Sequence, residues 1–455
     1  MTVHAPVVAG AFYPAEPEAL SAMIGALLSK APALEVPTPK ALILPHAGYR
    51  FSGGVAAAGA ATLRAGEGIR RVVVLGPSHR HAFRGVALPD ASAMATPLGE
   101  IELDAQAIKM LLREPDVSVL PQAFRQEHSI EVELPFLQSR LGRFTLVPIV
   151  VGEIPPARLA DILERLWGGD ETLLVISTDL THFLPAGEAE KTDLSTAHAV
   201  ERVDGETLTG VEACGHRPLA AFLRCAAKRG MRLTRLALAH SGNVTGDRSR
   251  VVGYGAWMAH DQERAQHSIE HKREAFRIAA RALLSRARNG KDPAIDLSSF
   301  AAPLQSIAHS FVTLTLEGRL RGCIGSLKAH QPLAQDLMQN AIKAGFHDPR
   351  FRPASEQEIK ASEIEIAILS HPAPITFSSE ADLLGQLRPG RDGLILSSKG
   401  KRGTFLPKVW QSLEIPAAFL GGLKVKAGLP KDHWDDDLQV QRYVTETFKG
   451  RIGRT

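Results

Sequence analysis

The sequence predicts an α/β domain, a sheet flanked by helices, followed by a separate α+β domain. Three observations predict this. The 455 residues exceed what one ordinary core accommodates, at roughly 150 residues per domain. Residues 3–259 alternate short, wholly apolar runs with helical patterns, whereas the remainder mixes strands, helices and many Gly/Pro turns without a regular strand–helix repeat. Between the two lies a polar stretch, HDQERAQHSIEHK, with no apolar period. The expected boundaries are 1–260 for the first domain, 261–272 for a linker that runs into a helix, and 273–455 for the second domain.

In the first domain, ALILPHAGY, RRVVVLGPSH, FTLVPIVVG, ETLLVISTDLTH and SRVVGYGAWM read as buried strands. They are apolar throughout rather than alternating, as expected of a largely parallel sheet covered on both faces. PARLADILERLW and RPLAAFLRCAAKRG read as helices between them. In the second domain, EAFRIAARALLSRAR, QPLAQDLMQNAIKAGF and KVWQSLE read as helices, and SFVTLTLEG, SEIEIAILS and GLILSS as strands.

Composition narrows the function classes. The chain is 44% hydrophobic and 22% charged, with a net charge of +4, too small for a dedicated nucleic-acid binder with a dense basic stripe. The three cysteines, Cys214, Cys225 and Cys323, form neither a disulfide framework nor a CxxC pair, which fits a reducing cytoplasm. The N-terminal stretch lacks a basic region followed by an apolar run, and no apolar run has the length of a membrane span.

Ligands collect beyond the carboxyl ends of strands in an open α/β sheet. Three strands here end in ligand-capable residues: His46 after one, His79 after another, and Asp179 with His182 after a third. Imidazole suits Fe, Zn or Cu, a carboxylate with two His suggests non-haem Fe(II) or Zn, and a metal with open positions can take water, dioxygen or a catecholate-like oxygen pair. The segment Gln126–Leu134 reads as the start of a charged helix in which Glu127 and Glu131 share a face. Two readings stand for it: a capped helix start, or His128 facing the pocket with Glu131 orienting a ligand. The loop Ala239–Arg250 offers His240, Asn243 and Asp247 to a metal or substrate, or is simply a well-bonded turn.

PHAGYRFSG, GPSH, EHSIEVELPFLQ, STDLTH and HSGNVTGDRSRVVGYGA, in this order, resemble the Memo family over residues 1–260. That fold is similar to the class III extradiol ring-cleavage dioxygenases, which use non-haem Fe(II). The resemblance implies His46 and His79 as metal ligands and His182 as acid/base, with Asp179 beside it and His128 lining the same cleft. It implies Fe(II) as cofactor, with Cu or Zn as alternatives. Animal members place a cysteine ligand in the last motif and the dioxygenases a glutamate; Val244 is read at that position, so a further ligand is expected from His240, Asn243, Asp247, His182 or water.

LRGCIGSL at 320–327, HDPRFRP at 347–353, LRPGRDGLIL at 387–396, GTFLPKVW at 403–410 and KAGLP at 426–430 resemble the AMMECR-type domain. In microbes both domain types accompany a radical SAM protein in what is called the AmmeMemoRadiSam system, and the chain looks like a fusion of two of its components. The resemblance implies a metal-dependent, dioxygenase-like enzyme acting on a small aromatic or carbonyl compound, with a radical SAM protein as partner. No nucleic-acid or membrane partner is expected, and a homo-oligomeric state is left open. A metal-holding scaffold without turnover is the first alternative, since animal Memo proteins have been treated as adaptors. The second alternative is catalysis through Cys323, which reads either as an exposed reactive thiol beside Arg350, Arg352, Arg391 and Lys408 or as a small buried turn residue.

Overall fold

A computed structural model describes residues 2–32, 36–64, 68–261, 267–326 and 328–452. The chain divides into two compact units, Met1–Cys225 with Leu233–His260 and Ala226–Arg232 with Asp261–Thr455. The stretch expected as a linker is helical from Ile269, because Ser268 accepts the backbone N–H of His271 and caps the helix Ile269–Asn289. Residues 262–266 of that stretch lie outside the described residues.

The first unit is built on a nine-stranded sheet. Its centre is four parallel strands in the order Ala41–Leu44, Thr172–Ser177, Arg71–Pro77 and Thr145–Val151. Every residue of strands 41–44 and 172–177 is buried, the burial that apolar runs without alternation require. Val251–His260 runs antiparallel beside strand 41–44, and the short His182–Leu184 continues that edge. On the other side Val86–Leu88 pairs antiparallel with 145–151 and carries Val117–Val119. Arg232–His240 pairs with Val251–His260 off this path.

Helices Tyr49–Ala60 and Pro156–Leu166 bury their apolar positions, and the predicted RPLAAFLRCAAKRG helix spans His216–Lys228. Leu42, Leu44, Val72, Val74, Leu173 and Val175 lie at the centre of the core. Each such side chain contributes about 1.5–3 kcal/mol by leaving water.

The second unit holds two four-stranded antiparallel sheets. The first runs Arg319–Gly325, Ser310–Leu316, Glu363–Leu369, Thr445–Arg451. One of its faces, with Val312, Leu314, Ile364, Ile366 and Ile368, packs with apolar residues of helices Ile269–Asn289 and Leu333–Phe346. The other sheet contains Gly393–Ser398 and Lys401–Phe405, and helix Pro416–Lys426 packs beside it. The segment KVWQSLE, predicted as an α-helix, forms instead the short 3-10 turn Pro407–Gln411, which starts at a proline and ends before Leu413. Among the described residues no helix is long and apolar enough to cross a membrane.

Candidate metal centre

Three of the four parallel strands deliver groups to one place, just past their carboxyl ends. His46 follows Leu44 by two residues, and His79 follows Pro77 by two. Their rings are 5.0 Å apart, centroid to centroid. His128 arrives from a different segment and lies 5.3 Å from the His46 ring and 4.8 Å from His79. The three offer ligand nitrogens that all lie within 4.8 Å of one another. Imidazoles this close cannot all carry a proton without mutual repulsion. Burial, and then the neighbouring imidazoles, hold His46 well below its ordinary value, and burial brings His128 down to about 4. His46 and His128 are therefore neutral at pH 7, the form that binds metals.

The nitrogen that each ring turns inward is set by what holds its other side. The Ser177 hydroxyl donates to the carbonyl of Ser129, 2.5 Å, so its lone pairs accept the Nδ1–H of His46 at 2.7 Å. Glu127 does the same for His79: its carboxylate accepts from Nδ1 at 2.9 Å and from the His79 backbone N–H at 2.6 Å. It also accepts the backbone N–H groups of His128 and Ser129. Burial alone would raise the Glu127 pKa, but these bonds, the His79 ring first, overcome it and bring it down to about 2. Both imidazoles therefore present a lone pair on Nε2.

Close packing keeps these partners in place. A Cβ at Gly76, in the GPSH segment, would stand 2.4 Å from Oγ of Ser129, so only glycine lets the 127–130 stretch approach the strand end.

The segment 126–134 is not a helix start with Glu127 and Glu131 on one face. Residues 127–128 are irregular and lead into a turn at 129–130, and a 3-10 turn begins only at Glu131. Glu127 orients the imidazoles. Glu131 faces away and accepts the N–H groups of Val7 and Val8 and the hydroxyl of Tyr13, binding the N-terminal segment to the core.

Asp179 sits beside the cluster without orienting His182. Its Oδ1 accepts the backbone N–H of His46 at 2.9 Å, and burial raises its pKa to about 7. His182 is instead tied through Nδ1 to the Leu180 carbonyl at 2.9 Å, and among the described residues its other nitrogen, on an exposed edge, has no hydrogen-bond partner. Phe183 beside it is an exposed bulge residue with a φ of 59°.

The residues of the last motif do not reach the three imidazoles. Nε2 of His240 pairs with Glu190 at 3.0 Å, and its backbone N–H donates to Asn243. Asp247 is exposed, and the N–H and hydroxyl of Ser249 hold its carboxyl below the usual range. Val244, read as the position of a lost cysteine, is 49% exposed on the short helix Gly242–Thr245. A cysteine is nonetheless present. Sγ of Cys214 lies 3.3 Å from Nε2 of His46 and accepts the backbone N–H of Asp179. It comes from the turn before helix His216–Lys228, where the next residue, Gly215, has no room for a Cβ against Thr178. Burial and then the Asp179 charge push this thiol up to about 12. The sequence reading did not select Cys214; the Cys-Gly pair just ahead of a helix was the available signal. Cys323 belongs to the second unit.

The family model described as Memo-like protein matches residues 4–258. The chain belongs to the Memo family. A second model, AMMECR1, matches residues 276–448, so a Memo domain and an AMMECR1 domain are joined in one chain. Curated relatives called MEMO1 family proteins match the first part. One from Aquifex aeolicus is 34% identical over 268 residues, covering 56% of this chain and 98% of its own length. One from Aeropyrum pernix is 35% identical over 280 residues, covering 56% and 99%. Among solved structures, an uncharacterized protein from Pyrococcus horikoshii is 32% identical, covering 39% of this chain and 89% of its own, at a TM-score of 0.36.

Proposed function

We propose that the Memo domain is a metal-dependent enzyme of the non-haem Fe(II) type, with dioxygenase-like chemistry on a small aromatic or carbonyl compound. The observation that carries this reading is the convergence of His46, His79 and His128, with ligand nitrogens within 4.8 Å of one another and the far nitrogens of two rings already held by Ser177 and Glu127. This donor set fits a metal ion: three converging imidazoles, with the Cys214 thiol beside His46. Once bound, such an ion supplies Lewis-acid and redox chemistry at its open positions. The chain's own groups do the rest. Asp179 fixes the His46 backbone, and Glu127 fixes His79 and the stretch that carries His128. His182, anchored through Nδ1, has its other nitrogen available to move a proton to or from substrate. In this reading the chain works in the cytoplasm with a separate radical SAM protein.

Anaerobic titration with Fe(II), followed spectroscopically, tests the reading. Binding should be lost in His46→Ala, His79→Ala and His128→Ala, and kept in His240→Ala and His182→Ala. Binding that is absent, or indifferent to the first three substitutions, rejects it. One observation favours a second reading, metal holding without turnover: the soft Cys214 sulfur beside an imidazole suits Cu(I). Tight Cu(I) binding with no reaction on catechols or other candidate substrates would support that role.

A further inference from the structure

The second unit carries a constellation that the metal centre does not use. Cys323 lies on the edge strand Arg319–Gly325, opposite Thr313. The preceding Gly322 faces helix Leu333–Phe346 so closely that a Cβ would meet the Ala344 carbonyl at 2.0 Å. Neighbouring strand residues point to opposite faces, so Cys323 points away from that helix. There the thiol, partly exposed, receives a hydrogen bond from the Thr313 hydroxyl at 3.2 Å. Nζ of Lys408 in turn donates to Thr313 at 3.3 Å and pairs with Glu365 at 3.2 Å.

Asp348 accepts the backbone N–H of Cys323 at 2.9 Å, and Arg350, paired with Asp348 at 2.6 Å, also donates to the Cys323 carbonyl. Nζ of Lys426 lies over the Phe405 ring, 5.1 Å from its centroid, within electrostatic range of Cys323 and Arg350. Arg321, two residues before the thiol and 8% exposed, is held by Glu358 and by the Arg352 carbonyl, and so ties this strand to the 352–358 segment. Three sequence segments, LRGCIG, HDPR and LPK, are thus linked through Cys323 and Thr313.

We propose that Cys323 is the nucleophile of a second site, which accepts a small anionic electrophile carrying a carboxylate or phosphate. Lys408, Lys426 and Arg350 attract the anion. The sulfur forms a bond to the electrophilic carbon, and that carbon's bond to its leaving group breaks. The leaving group departs with the bonding pair, and the thiol proton passes to solvent. The Asp348–Arg350 pair positions the Cys323 backbone, and Thr313 links the sulfur to Lys408.

Two alkylating reagents of the same chemistry, iodoacetate and iodoacetamide, test this on the full chain, with labelled sites located by peptide mass. Relative to glutathione, Cys323 should favour the anionic reagent by about tenfold or more. Lys408→Met and Lys426→Met should each reduce that preference several-fold while circular dichroism is unchanged. Raising the ionic strength should reduce it in the unaltered protein, a readout that needs no variant. Cys323 that reacts more slowly than glutathione with both reagents, or a preference indifferent to salt, overturns the proposal. Buried Cys225 serves as the internal unreactive control.

Discussion

Sγ of Cys214 and Nε2 of His46 lie 3.3 Å apart, although 168 residues separate them in the chain. Both atoms are lone-pair donors once the thiol is ionised, and the His46 ring borders the space where His79 and His128 converge. Burial holds the thiol up at about 12, a cost that a cation in the site would reverse. Cys214→Ser should therefore weaken Cu(I) binding by about tenfold or more and Fe(II) binding less, because oxygen is the harder donor. Competition against a chromophoric chelator measures both. Equal, unchanged affinities would show that the sulfur does not ligate.

Glu127 gathers two neighbouring imidazole segments on one carboxylate. It accepts four hydrogen bonds, two from His79 and one each from the His128 and Ser129 backbone. Glu127→Gln keeps one acceptor oxygen and adds donors where none are wanted. We expect a 10–100-fold loss of metal affinity, the usual range for a group that orients a ligand. The metal-free protein should also lose about 1–3 kcal/mol, read from urea unfolding.

Gly76 tests whether close packing sets the site. In Gly76→Ala the new Cβ would press on Ser129, whose carbonyl anchors Ser177 and thereby His46. The expected outcome is a destabilisation of about 1–3 kcal/mol together with weaker metal binding. A variant that loses stability but binds metal normally would show that the 127–130 stretch can shift without disturbing the imidazoles.

The second unit should be acid-sensitive through His309. This imidazole is 4% exposed, and burial, followed by repulsion from His371, brings its pKa down to about 3. The unfolded chain takes up that proton near pH 6.5, the folded one only near pH 3. Between those values the unfolded state binds more protons, so stability is full above about pH 6.5 and falls on acidification. At pH 5 the loss from this group is about 2 kcal/mol. Urea midpoints at pH 7 and pH 5 should differ by less in His309→Gln than in the unaltered protein.

The two-domain plan, the four central strands and the placement of His46 and His79 were all legible in the sequence. The reason is local: an apolar run that fills a buried strand must end where polar residues begin, and ligand sites lie at that end. Asp179 and His182 were legible as strand-end residues for the same reason, but their partners were not. Asp179 holds a backbone N–H of another strand, and His182 leans on a carbonyl two residues away. Of the two readings of 126–134, the one in which Glu131 orients a ligand named the wrong carboxylate, because both readings assumed a helix where the chain turns and Glu127 meets His79.

By itself, then, the sequence determined which ligand-capable residues stand at strand ends, because burial along a strand is written into consecutive residues. Only the tertiary structure decided the rest. His128 and Cys214 reach His46 from an irregular stretch and from a loop before a helix, elements with no periodic signature. His240 and Asp247, equally plausible by residue type, are taken by Glu190 and Ser249 in their own loop. Ligand sets depend on distances of a few ångström between segments far apart in the chain, and those distances are fixed by packing, not by sequence spacing.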